Sequence, residues 1–106
     1  MRHIFPLLAL ALSACGTPVP ITHGAQRIQV LQQNNTMIAS CTKIGPVDAT
    51  VNRLWPAQSV YDASVWEAKN LAAAAGADSM MILNSDHSTN GLFNIITVHA
   101  VAFKCF

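Results

Sequence analysis

A chain of 106 residues has room for one small domain and not for two. Its hydrophobic share of 52% against a charged share of 10% excludes a disordered chain. A formal net charge of +1 supplies no basic patch for a phosphate backbone, so nucleic acid is not expected as a partner.

The chain begins Met1-Arg2-His3 and continues Ile4-Phe5-Pro6-Leu7-Leu8-Ala9-Leu10-Ala11-Leu12. A positive head followed by an apolar stretch well short of the ~20 residues that span a bilayer is the layout of a secretory signal peptide. The stretch ends Leu12-Ser13-Ala14-Cys15, which resembles the lipobox of bacterial lipoproteins. The order has a chemical reason. A large aliphatic residue fills the peptidase pocket, small residues let the backbone enter the protease, and the cysteine thiol takes up the diacylglycerol before cleavage. Residues 1–14 are then a signal peptide that is removed, and Cys15 carries the lipid that makes the membrane a partner. Two or three acyl chains anchor a protein stably where one does not. Gly16 stands where an aspartate commonly retains lipoproteins in the inner membrane. The expected location is therefore the periplasmic face of an outer membrane.

Residues 15–24 read as a lipidated tether, with Pro18 and Pro20 keeping it extended and Gly24 closing it, and residues 25–106 as the periplasmic domain. Within the domain, Gln26 to Leu31 alternates polar and apolar at period two and reads as a strand, and the polar run from Gln32 to Thr36 reads as a loop. Met37 to Val51 is β-rich but interrupted by Gly45-Pro46. A proline lacks the donor that a central strand needs, so a bulge or an edge position is expected there. Residues 52–57 close this strand in a loop.

A helix follows, with Ser59 as its cap, Asp62 in its first turn and Gly76 as its left-handed stop. Tyr61, Val65, Ala68, Ala72 and Ala75 fall on one stripe, joined by Leu71, while Asp62, Lys69 and Asn70 face away. Ser79 to Leu83 reads as a buried apolar strand and Asn84 to Gly91 as a polar loop, with Asn90-Gly91 as a hairpin turn into a long strand from Phe93 to Cys105. The order is β-β-α-β-β, an α+β fold with one amphipathic helix packed on a mostly antiparallel sheet.

With Cys15 lipidated, Cys41 and Cys105 remain in an oxidising compartment and are expected to pair. Two free thiols or half a metal site are the alternatives. No C-x-x-C spacing occurs and no histidine lies within a few residues of either cysteine, which weighs against zinc.

The blocks "IASCTKIGPV" (38–47) and "EAKNLAAAAGADSMMIL" (67–83), with the closing "AFKC" (102–105), resemble a family of small enterobacterial outer-membrane lipoproteins of unknown function. More distantly they resemble the lipoprotein sensor of the Rcs envelope-stress system. The resemblance implies an α+β domain with Cys41 paired to Cys105, displayed in the periplasm from a lipid on Cys15. It implies no catalytic residues. The second cysteine pair and the long proline-rich linker of the stress sensor are missing from this sequence.

His87 beside Asp86 is too small a set for a metal or acid-base site and reads as an exposed loop residue, while His99 reads as a satisfied strand histidine. Asp78 after Gly76-Ala77 reads as a turn former, and Cys41 as a structural half-cystine in preference to a redox nucleophile. Trp66, off the apolar stripe, together with Trp55 and Phe93, is the candidate partner surface. No catalytic residue, metal ligand or cofactor is expected. The function these readings favour is non-enzymatic binding of a protein or envelope component, as in envelope surveillance. A structural or assembly role without a ligand is the first alternative, and a small redox or hydrolytic enzyme is the second.

Overall fold

The computed structural model describes residues 20–34 and 36–106; the signal-peptide reading, Cys15 and the first part of the tether lie outside the described residues. In chain order the elements are α1 (His23–Gln26), β1 (Gln29–Leu31), a 3-10 helix (Thr36–Ser40), β2 (Thr42–Arg53), α2 (Ala57–Ala74), β3 (Ser79–Asn90) and β4 (Phe93–Lys104). The sheet order is β1-β3-β4-β2, with β1 parallel to β3 and the other pairs antiparallel. The fold is α+β, with one main helix on a mostly antiparallel sheet in the expected β-β-α-β-β order.

Helix α2 owes its length to an alanine-rich run with no proline or glycine between Pro56 and Gly76. Its buried line is Val60, Ser64, Ala68 and Ala72, at a spacing of four. The expected stripe is therefore rotated: Leu71 is exposed and Ala75 stands outside the helix, while the polar Ser64 is fully buried. Ser64 can be buried because its hydroxyl lies 2.8 Å from the Val60 carbonyl oxygen and 3.0 Å from that of Ile96, so its donor is satisfied against the sheet. Against this line pack Val47, Ala49, Val51, Met80, Ile96, Val98, Ala100 and Ala102, the inward positions of three strands.

The helix ends differ from each other in how well the sequence marks them. Ser59 does not cap; Pro56, with φ fixed at −54° and no N–H of its own to satisfy, takes the cap position and starts the helix earlier. At the other end Gly76 adopts φ +88°, the Gly76 N–H donates to the Ala73 carbonyl and the Ala77 N–H to that of Ala72. These two bonds make a Schellman stop, which a residue with a Cβ would strain.

In β2 the break at Gly45-Pro46 is a bulge between Lys43 and Gly45, on a strand that is an edge of the sheet. Strand β3 is longer than its apolar segment. It continues through Asn84–Asn90, paired with β4 up to Asn90 opposite Phe93, so this polar stretch is strand and not loop. Its backbone groups are satisfied by β4, which makes side-chain burial unnecessary, and its residues from Leu83 to Asn90 are exposed. The two turn residues are Gly91 and Leu92, one position later than Asn90-Gly91. Gly91 has φ +63° and no non-glycine residue described has positive φ, which fits a type II′ hairpin turn.

The N-terminal segment is also more structured than a tether. Thr22 caps α1 by accepting from the Ala25 N–H at 3.1 Å, so Gln26 is helical and the strand shortens to Gln29–Leu31. The Asn70 side chain accepts from the Thr22 N–H and hydroxyl and donates to the Pro20 carbonyl. Ala25 is fully buried, and a Cβ on Gly24 would come 2.9 Å from that of Ala73. Glycine is what lets α1 lie so close to α2.

Because β1 and β2 occupy opposite edges, the chain between them must cross the sheet. The segment around Thr36–Ser40 is therefore a 3-10 connector and β2 starts only at Thr42. Val101 and Phe103 alternate with the core residues Ala100 and Ala102 and so point away from α2, yet they are only 9% and 6% exposed. Gln33 fixes the start of the connector by donating to the carbonyls of Ile82 and Leu83, and a disulfide between Cys41 and Cys105 fixes its end.

That bond has a sequence separation of 64, and closing so long a loop removes about 4 kcal/mol of unfolded-state entropy in the chain-entropy model. Cys105→Ser is expected to lower unfolding stability by about that much in urea titration, and reducing agent should then have no further effect. Equal stability of the variant and the oxidised protein would contradict a structural role for the bond.

Candidate functional site

Titratable groups gather on the sheet face opposite α2. Asp48 on β2, His99 on β4 and Asp86 on β3 occupy outward positions, with Asp48 directly across from His99 and Asp86 offset from it along β3. The Asp48 carboxylate lies 2.7 Å from Nδ1 of His99 and the Asp86 carboxylate 2.8 Å from Nε2. A neutral imidazole has one N–H, and a carboxylate offers only acceptors, so satisfying both contacts requires the imidazolium. Its pKa is accordingly held above the ordinary 6.5, first by the hydrogen bond to Asp48 and then by that to Asp86. The cluster ties three strands together. Its carboxylates sit on opposite sides of the ring and do not converge on a common point.

A second cluster closes the base of the sheet. The Asp78 carboxylate accepts from the backbone N–H of Cys105 at 2.8 Å, from that of Phe106 at 2.9 Å and from the Ser79 hydroxyl at 3.0 Å, with the Lys104 ammonium 3.5 Å away. The Cys105 N–H is the largest cause holding its pKa below the ordinary 3.8; partial burial opposes this, and Phe106, Ser79 and Lys104 add to the lowering. Asp78 thus does more than form a turn: it clamps the chain end beside the disulfide.

His87 lies on strand β3 and not in a loop. Its Nε2 is 2.9 Å from the Asn94 side-chain oxygen, and the Asn94 amide donates to the Trp55 carbonyl at 2.7 Å. These contacts tie the hairpin to the entry of α2 and use the histidine structurally.

The three candidate aromatics do not form one patch. Trp55 is partly buried against the core, with the Arg53 guanidinium 5.6 Å from its ring centroid. Phe93 is 46% exposed at the hairpin tip, next to Leu92 at 82%, and Leu54 adds a third exposed apolar side chain at the same end of the sheet. Trp66 sits elsewhere, on the face of α2 turned away from the sheet, with the Lys69 ammonium 4.1 Å from its ring centroid.

Among the described residues there is no enclosed pocket, no group of three His, Cys, Asp or Glu placed to hold a metal, and no helix long and apolar enough to cross a membrane. The Asp48–His99–Asp86 contact was not visible as a unit in the sequence. Period-two alternation puts Asp48 and His99 on outward positions, but only the register of three strands brings them together.

The raised pKa of His99 sets the sign of a pH effect. Its contribution to stability is complete below the unfolded value near 6.5 and is lost as pH rises through the higher folded value. Asp78, with a lowered pKa, contributes above 3.8 and loses its contribution as pH falls. The thermal midpoint of the parent should exceed that of His99→Gln most clearly near pH ~5, the gap should close as pH rises through the folded value, and high salt should narrow it. A gap that widens on the alkaline side would contradict the imidazolium bridge. Compared with known proteins, the chain matches no family model, no curated protein and no solved structure.

Proposed function

We propose that the chain is a lipoprotein held by a lipid on Cys15 at the periplasmic face of an outer membrane, and that its domain acts without catalysis by binding an envelope protein. The observation that carries the reading is the Cys41–Cys105 disulfide. It uses both cysteines outside the "LSAC" segment, in a bond that belongs to an oxidising compartment, and leaves Cys15 as the one thiol for acylation. The exposed Leu92, Phe93 and Leu54 at the hairpin end supply an apolar surface for the protein partner.

Labelled palmitate is expected to enter the protein and to fractionate with the outer membrane, and Cys15→Ala should lose the label and release the protein into the soluble periplasm. Membrane retention of the unlabelled variant would contradict the anchor. For the partner, a photo-crosslinking residue at Leu92 should give a discrete adduct in cells that the same residue at the exposed Thr50 does not give. Identical adduct patterns at the two positions would remove the hairpin end as the binding surface.

A further inference from the structure

Trp66 and the point at which the chain leaves the domain occupy the same face of α2. Successive helix residues are rotated by about 100°, so Trp66, two positions from both Ser64 and Ala68, lies opposite the buried line. Asn70, one turn further, shares the face of Trp66, and its side chain grips the Pro20 carbonyl and Thr22. Ala73 on the same face is covered by Gly24. The N-terminal segment therefore runs up to α2 about one helical turn, ~6 Å, from Trp66.

From Pro20 back to Cys15 a fully extended chain spans at most about 18 Å. A lipid on Cys15 thus keeps Pro20 and the Asn70 end of this helix face within that distance of the bilayer surface, with Trp66 about one helical turn, ~6 Å, from there. The side chains on and beside this face suit such a surface. Trp66 offers an amphipathic ring of the kind that settles at the boundary between headgroups and acyl chains. Lys69 lies over that ring and can extend its ammonium toward the headgroups. Ile21, adjacent to Thr22 in the gripped segment, is an exposed aliphatic side chain. Asp62 and Glu67 offset Lys69 in charge, so attraction to anionic lipid contributes little.

We infer that the outer face of α2 around Trp66, Lys69 and Ile21 rests on the lipid surface to which Cys15 is anchored, which orients the domain with its sheet directed away from the membrane. The inference rests on the proposed lipidation, and it assigns Trp66 to lipid, leaving the hairpin end for a protein.

The test uses the mature lipidated protein carrying Trp55→Phe, so that Trp66 emits alone, reconstituted into vesicles of phosphatidylethanolamine and brominated phosphatidylcholine with and without phosphatidylglycerol. Most of the Trp66 emission should be quenched, equally in both compositions, and the unlipidated Cys15→Ala form should escape quenching. Where Trp55→Phe does not fold, the parent is compared with Trp66→Phe, and the quenched fraction should vanish in the latter. The mass of the Cys15 adduct is read on the same sample. A lipid-bearing protein whose Trp66 is not quenched overturns the orientation and leaves the anchor intact, whereas absence of the lipid mass overturns both. Shielding of Trp66 from aqueous acrylamide without quenching by the brominated lipid also overturns the inference, in favour of a second copy of the chain on this face.

Discussion

The chain crossing between β1 and β2 is the constraint on which the rest of the domain depends. These strands are consecutive in sequence yet lie on opposite edges of the sheet, so the segment joining them has no strand to pair with and must be held by other means. Three devices hold it. Gln33 bonds the carbonyls of Ile82 and Leu83, the Cys41–Cys105 bond ties its end to the last strand, and Asp78 fixes the backbone on which Cys105 sits. The disulfide and the aspartate act on adjacent atoms of the same chain end, and each makes the other less entropically costly. A domain with so few large buried side chains has little margin without them.

Small residues do on the helix what the disulfide does at the base. Ala68 and Ala72 let α2 approach the sheet closely, and Gly24 against Ala73 lets α1 approach α2 from the other side. Close approach increases dispersion contact but leaves no slack for a larger side chain. Ser64 shows the limit of reading such a helix by hydrophobicity. Its polarity removed it from the expected stripe, yet a hydroxyl shared between its own helix and the Ile96 carbonyl is as well satisfied inside as outside.

What could be read from the residues was whatever a local physical rule determines. The glycine stop at Gly76, the bulge at Gly45-Pro46, the helix itself and the last strand are each set by neighbours within a few positions. The pairing of Cys41 with Cys105 was legible from their number and from the oxidising compartment the sequence leads one to expect. Non-local facts were not legible. Asn84–Asn90 is polar on both faces and carries no strand signal of its own; it is a strand because β4 runs beside it. Residues 20–24 carry the composition of a tether, yet Asn70, which reads as a solvent-facing helix residue, grips Pro20 and Thr22. Trp66, Trp55 and Phe93 were grouped by kind, and the fold separates them.

That separation gives the domain two ends with different chemistry. Pro20 and Thr22 meet α2 at Asn70, whereas Leu92 and Phe93 belong to the end at which α2 begins, where the Asn94 amide holds the Trp55 carbonyl. Along the helix, Ala57 and Asn70 are ~20 Å apart. The proposed lipid on Cys15 would therefore constrain one end and leave the other free to present its apolar side chains. The His99 bridge lies between these ends, on the face of the sheet opposite the helix. It ties the open-edged β2 to β3 through β4, so the long hairpin and the edge strand move as one body. A rigid sheet suits the proposed anchor, because a lipid at one end can set the orientation of a domain only if the domain does not bend.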